Sequence, residues 1–299
     1  MSMTSTAVPA TLAPAAPPRS YSGYWQGVWR RLRRDPTTLF CGIVLILMLL
    51  AILLAPWIAP ADPYATSMIR RLKPVGFNGH LLGTDELGRD MLTRLLYGGR
   101  YSWFLGITPV VIAFVVGGAL GVAAGFAGGW LNMLIMRATD VFYAFPSVLL
   151  AVAISGALGA GIFNAMLSLT LVFIPQIIRV AETTTTAVRN LDYVESARAS
   201  GASSLTIVRV HILPNVLGPI FVYATGLISV SMIVASGLSF LGLGTRPPEP
   251  EWGLMLNTLR SAIYTQPLLT MLPGFCIFAT SLCFNLVSDG LRSAMDVRG

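Results

Sequence analysis

Between Asp35 and Asp62 the chain reads PTTLFCGIVLILMLLAILLAPWIAPA (residues 36–61), with no ionisable side chain other than Cys41. A helix needs about 20 apolar residues to cross a bilayer core of about 30 Å, so this run predicts a membrane-spanning helix at about 38–59. The rest of the chain repeats the pattern. Residues 101–136, 141–178, 210–245 and 261–288 contain no Asp, Glu, Lys or Arg. The run at 141–178 is too long for one crossing and contains the glycine-rich stretch Ser155-Gly156-Ala157-Leu158-Gly159-Ala160-Gly161, which reads as a turn. The expected spans are therefore 38–59, 101–128, 134–156, 162–180, 216–240 and 268–288. Six crossings place both termini on one side of the membrane.

Composition agrees. The 299 residues are 55% hydrophobic and 11% charged, with a mean hydropathy of +0.71. Soluble domains carry about 25% charged residues, so these charges cannot coat a water-facing globule. The net charge of +7 reads as a membrane protein's cytoplasmic excess of basic residues, not as a nucleic-acid footprint. Arg30, Arg31, Arg33 and Arg34 lie just before the first span and predict a cytoplasmic N-terminus. The bias is modest. The segments on that side hold 12 basic and 7 acidic residues, and the opposite segments hold 8 and 6. An uncleaved first span is expected, because cleaved leaders have apolar cores of about 7–15 residues. Cys41, Cys276 and Cys283 lie in apolar stretches without metal-ligand spacing and read as core residues.

Four segments organise the chain: a disordered cytoplasmic tail at 1–24, a basic pre-span segment at 25–37, the first span with an outer amphipathic loop at 38–100, and a core at 101–299 that contains a cytoplasmic loop at 181–214. No phosphate-binding loop occurs, nor any of the common zinc-protease or serine-hydrolase motifs. His80 and His211 belong to different loops and read as structural. The acidic residues cluster in loops, with Asp140 at the edge of a span, which disfavours a proton-coupled carrier.

Three loops carry information. In the first, Thr84 or Asp85 reads as a helix cap, followed by an amphipathic surface helix with Leu87, Met91 and Leu95 on one face and Glu86, Arg89, Asp90, Thr93 and Arg94 on the other. Two readings stand side by side: it shapes the outer mouth and meets a delivery protein, or it is a packed collar. In the second, Asn190, Asp192 and Glu195 open a short helix, with Asp192 and Glu195 spaced like a capping box. Ser196, Ala197, Ala199, Ser200, Gly201 and Ala202 give it small side chains suited to close approach. Gly201 ends it, Ser203 or Ser204 caps the next helix, and Pro214 introduces the fifth span. Here the readings are a coupling element or an ordinary loop helix. In the third, Pro247-Pro248-Glu249-Pro250-Glu251-Trp252-Gly253 is stiff and carries an interfacial-type Trp252. The helically spaced stretch 254–264 after it lies in the outer leaflet, dips into the bilayer or forms a plain loop.

Taken together, these loops resemble the inner-membrane permease subunits of bacterial ABC importers for dipeptides, oligopeptides, nickel and opines, and in particular the C-type subunit. The likeness covers about residues 25–299. The family's signature reads Glu-Ala-Ala, three residues, Gly, nine residues, Ile, one residue, Leu-Pro. Glu195, Ala197, Gly201, Leu213 and Pro214 match it in register, while Ser196 replaces an Ala and His211 stands at the Ile position. Leu82-Gly83-Thr84-Asp85 with Gly88-Arg89-Asp90, and Ser239-Phe240-Leu241-Gly242-Leu243-Gly244 with Pro247-Pro248 and Glu251-Trp252-Gly253, are similar to segments of the C-type subunit. Asn285, Asp289, Leu291, Arg292 and Asp296 match its tail; Ser288, Ser293 and Val297 depart from it.

The resemblance implies an all-α, six-span type I importer permease without an ATP site of its own. ATP and Mg would be bound by two partner ABC ATPases, and the chain itself would hold no cofactor or metal. The other implied partners are a homologous permease and an extracytoplasmic solute-binding protein, in the bacterial inner membrane. Asp192, Glu195, Ser196, Ala197, Ala199, Gly201, Ala202, Leu213 and Pro214 would form the ATPase contact. Asp85, Gly88, Arg89, Asp90 and Trp252 would form the outer mouth. Dipeptides or short oligopeptides lead as solute, with nickel, glutathione and opines on the same scaffold; a stand-alone secondary carrier is the rival of another class.

Overall fold

The computed structural model describes residues 21–295, so most of the tail expected at 1–24 and the matches at Asp296 and Val297 lie outside the described residues, while residues 21–24 are not a disordered tail but the start of a helix. Among the described residues the regular structure is helical, with two isolated bridges, Phe77 to His80 and Thr84 to Asp90. The helices are α1 (Tyr21–Leu32), α2 (Pro36–Leu53), α3 (Ala55–Ile58), α4 (Met91–Ala127), α5 (Gly129–Tyr143), α6 (Ser147–Leu158), α7 (Ile162–Arg189), α8 (Asp192–Ala199), α9 (Ser204–Thr206), α10 (Leu213–Phe240), α11 (Trp252–Thr258) and α12 (Pro267–Met295). A π-helical turn, Ile207–Ile212, joins α9 to α10, so Ser204–Phe240 is one helical rod.

Among the described residues five helices are long and apolar enough to cross a membrane, and α5 with α6 pass the same test as a pair bent by 86°. The helix therefore breaks inside the expected third span at 134–156. Pro146 offers no N–H to the ladder and disfavours helix at Phe145 before it, so α5 stops at Tyr143 and α6 restarts at Ser147. The turn predicted over 155–161 is confined to 159–161, because α6 continues through Leu158 before α7 begins at Ile162. Asp35 caps α2 by accepting from the N–H groups of Thr37 and Thr38.

The core is built on the pairing of α4 with α7. Gly117, Gly121 and Gly125 form a stripe along α4, and a Cβ on each would press into α7: 2.8 Å from the Ile174 carbonyl oxygen, 2.5 Å from that of Ile178 and 2.7 Å from that of Glu182. Small residues every fourth position let two membrane helices approach this closely. The main apolar cluster includes Leu105, Val122, Leu169, Phe173, Ile177, Ile220 and Leu227. A second cluster at the α2, α11 and α12 side includes Cys41, Leu45, Met91, Trp103, Trp252 and Met255.

The ends of the helices share one pole of the bundle. The Thr38 side chain occupies the space a Cβ on Gly290 would need, and Met295 does the same at Gly218. The starts of α2 and α10 and the end of α12 therefore meet there, and α8 hangs between α7 and the π-helical turn on that same pole.

Candidate functional site

The segment 190–214 is the candidate site. Val194 and Ile212 are fully buried and Ile207 nearly so, which pins α8 and the π-helical turn to the bundle by their apolar side chains. The remaining surface is free. Asp192, Glu195, Ser196, Ala199 and Gly201 are exposed, Ala197 and Ala202 half-buried. Tyr193 packs its ring near His211 at a centroid separation of 6.0 Å, and its hydroxyl accepts from Asn215 Nδ2 at 3.3 Å.

The turn after α8 is a Schellman motif. Ala202 N–H donates to the Ala197 carbonyl at 3.1 Å and Gly201 N–H to that of Arg198 at 3.0 Å, with Gly201 at φ +82°. A residue with a side chain is strained in that left-handed conformation. Apart from its immediate chain neighbours, no atom of the described residues lies within 4 Å of where a Gly201 Cβ would stand. Ser203 then caps α9, its Oγ accepting from Thr206 N–H at 3.2 Å. The capping box expected from Asp192 and Glu195 is absent: Leu191 is the N-cap and makes no side-chain bond, so both acids sit inside the first turn. There they face the helix's positive end. Leu213 and Pro214 lie not in a loop but inside the helical rod, where α10 follows directly on the π-helical turn.

At the opposite pole the separate surface helix expected at 84–96 is not formed. Residues 84–90 make a tight turn, and Asp90 caps α4 by accepting from Thr93 N–H at 2.8 Å. Helix therefore starts at Met91 and continues as the second span. Asp85, Arg89, Asp90 and Trp252 are 1%, 4%, 2% and 2% exposed. Arg89 Nε donates to Asp85 Oδ2 at 2.6 Å, Arg94 approaches the same oxygen at 3.1 Å, and His80 Nδ1 lies 2.8 Å from Asp90 Oδ1. Gly88, at φ +75°, passes so close to Ser67 that a Cβ would overlap its carbonyl oxygen. Trp252 is not an interfacial anchor: it is buried against Gly98 and Gly99 and donates from Nε1 to the Leu95 carbonyl at 2.9 Å. These side chains serve the collar and expose little surface of their own.

The sequence reading missed Glu251. Its carboxylate is fully buried and accepts from Gly253 N–H, Leu254 N–H and Ser102 Oγ at 2.8, 2.9 and 3.0 Å. It caps α11 and ties it to α4. Burial pushes its carboxyl above the usual range, opposed by those donors. The clue was its place just before a helix, but Glu is an uncommon cap. The Arg179–Asp140 pair, 2.6 Å apart across α7 and α5, was also missed as a pair.

Comparison with known proteins matches residues 117–298 to the family described as binding-protein-dependent transport system inner membrane component and residues 23–74 to the N-terminal TM domain of oligopeptide transport permease C. The glutathione transport system permease protein GsiD of Pectobacterium atrosepticum is 39% identical over 272 residues, covering 91% of this chain and 90% of that protein. The GsiD of Escherichia coli O157:H7 is 40% identical over the same coverage. Among solved structures, an inward-facing MetNI methionine ABC transporter chain superposes with a TM-score of 0.55 at 18% identity, covering 68% of this chain and 97% of that one, a likeness of fold.

Proposed function

The chain belongs to the binding-protein-dependent transport system inner membrane components, as an ABC importer permease of the oligopeptide and dipeptide group, and from that premise we propose that it forms half of a pathway for short peptides, driven through α8. A permease of this family has no ATP site, so the energy of import comes from partner ATPases, and solute arrives from a binding protein. We take the second half of the pathway to be a homologous permease and the α8 pole, with both termini, to be cytoplasmic.

The observation that supports this reading is the shape of the 190–214 segment. A short helix is held to the bundle by buried Val194, Ile207 and Ile212, while Glu195, Ser196, Ala199 and Gly201 face outward. Its two neighbours are the span helices α7 and, through α9 and the π-helical turn, α10. A push on α8 is transmitted to both as rigid bodies, which is what alternating access requires. Nucleotide shifts the two-state balance only through contacts that differ between the states, and the exposed face of α8 is where such contacts are available. The GsiD relatives favour glutathione or a similarly short peptide as solute.

The test uses the assembled transporter in proteoliposomes. Glu195→Arg and Gly201→Asp reverse a charge and fill an open space on that face. Each is expected to lower ATP-driven uptake about tenfold or more, the effect of losing one charged contact, while the chain still inserts at wild-type levels. Wild-type uptake in both variants overturns the coupling role. Thermal shifts of the neighbouring binding protein with glutathione, dipeptides and nickel then identify the solute.

A further inference from the structure

On α7 the first charge after Ile162 is Arg179, 17 residues on, or about 26 Å along a helix rising about 1.5 Å per residue. With Ile162 taken as the outer edge of its span, Arg179 lies within a hydrocarbon core about 30 Å thick. Its side chain is 45% exposed and that of Asp140, on α5, is 48% exposed, although the two are 2.6 Å apart. Arg137 stands 3.9 Å from the other carboxylate oxygen. The Tyr143 ring lies under the Arg179 guanidinium at 4.6 Å. One turn along α7, Gln176 Oε1 accepts from Tyr223 Oη of α10 at 3.4 Å. Three helices thus bring a polar girdle to one level, on a face the described chain leaves open.

Hydrocarbon is an unsuitable cover for this face. An intramembrane ion pair belongs against water or protein, and Asp140, unlike Arg137, is too short to reach the surface by bending along the helix. The girdle carries two guanidiniums against one carboxylate, an excess of one positive charge. Resting on the reading of this chain as a short-peptide permease, we propose that the girdle lines the solute path and is a subsite for a peptide carboxylate. Arg179, stacked on Tyr143, passes from Asp140 to the solute carboxylate. Arg137 keeps Asp140 company, so no charge is left alone. Gln176 and Tyr223 supply neutral hydrogen-bonding groups for the peptide amides.

The experiment takes the complete transporter in proteoliposomes with Cys41, Cys276 and Cys283 replaced by Ser. A cysteine is placed by Gln176→Cys or, as a lipid-facing control, by Phe278→Cys on α12, where Phe278 is 61% exposed. A sulfonate-bearing thiol reagent should label the first and spare the second. Glutathione and triglycine, delivered by the binding protein, should slow that labelling about tenfold, as expected for a charge-assisted contact. Adding Arg179→Gln should leave the labelling and remove the protection, with Arg179→Lys restoring part of it. An unlabelled Gln176→Cys means lipid or protein covers the girdle and overturns the proposal. Protection that survives Arg179→Gln overturns the carboxylate role. If the unsubstituted transporter imports neither peptide, the proposed solute class fails, while labelling at Gln176→Cys still decides whether the face is wet.

Discussion

Glu251 shows how one side chain joins distant parts of this chain. Its carboxylate satisfies two N–H groups of α11 and the Ser102 hydroxyl of α4, and Ser102 Oγ in turn accepts from Trp252 N–H at 3.1 Å. In Glu251→Ala these buried donors lose their acceptor, a cost of about 1–3 kcal/mol. A melting temperature lower by several degrees is expected in detergent; an unchanged one would mean that water replaces the carboxylate. The pH dependence has a defined sign. Burial raises the folded-state pKa of Glu251 above its unfolded value. Its stabilising contribution is therefore full below the unfolded pKa of about 4.3 and falls as pH rises through the folded pKa. The gap in melting temperature between wild type and Glu251→Ala should narrow as pH rises, which thermal scans at several pH values will measure. The sequence shows the stiff loop around this residue but not the burial of its neighbour Trp252. The space for that indole is made by Gly98 and Gly99, more than 150 positions upstream, and no local pattern carries that information.

At the scale of elements, the charge-free runs coincide with the five long apolar helices, while α5 of the bent pair carries Arg137 and Asp140; the bilayer penalises charge wherever a helix meets lipid. The same criterion misplaces the ends. The helix of the second span, α4, starts at Met91 and that of the fourth, α7, ends at Arg189, since a helix continues past the hydrocarbon edge while its side chains turn polar. A capping box at Asp192 and Glu195 fails because the cap position falls on Leu191; spacing alone does not say which residue leaves the helix. The Gly117, Gly121, Gly125 repeat was readable at its four-residue spacing, and the structure gives it a role in holding α4 against α7. Gly121→Leu would have to push aside the Ile178 carbonyl and the Ala181 methyl group. Backbone cannot yield as a flexible side chain can, so α4 and α7 must separate along their length. Loss of the monodisperse, folded chain from detergent extracts is expected, whereas Gly118→Leu, whose Cβ position meets nothing within 4 Å, should purify normally. Equal behaviour of the two variants would show that the stripe is not what seats the helices.

For the whole molecule, counting charges separates the two poles by a modest margin, and the structure explains why. The pole opposite α8 holds eight basic residues, but Arg89 and Arg94 are buried around Asp85, and Arg94 also donates to the Pro63 carbonyl at 3.1 Å. Arg100 donates to the carbonyls of Ile52 and Leu53, each at 3.1 Å. These are structural cations that fasten the collar and the end of α2, and they do not count as free surface charge. At the α8 pole Arg30, Arg33, Arg34, Arg198, Arg209 and Arg292 are exposed. Arg189 is fastened in the same way to the Gly125 and Phe126 carbonyls, and with such cations discounted on both poles the excess stays on the α8 side, which the positive-inside rule makes cytoplasmic. Because α2, α10 and α12 all meet at that pole, one labelling experiment fixes every loop. In a background without the native cysteines, Thr66→Cys should react with a membrane-impermeant thiol reagent on cells whose outer membrane alone is opened. Ser203→Cys should react only after the inner membrane is permeabilised. Both positions are exposed in this chain, so in cells that make it without the partner ATPases access to the reagent depends on side alone. The reverse pattern would place α8 outside, where no ATPase could reach it, and the coupling role proposed for that helix would fall with the orientation.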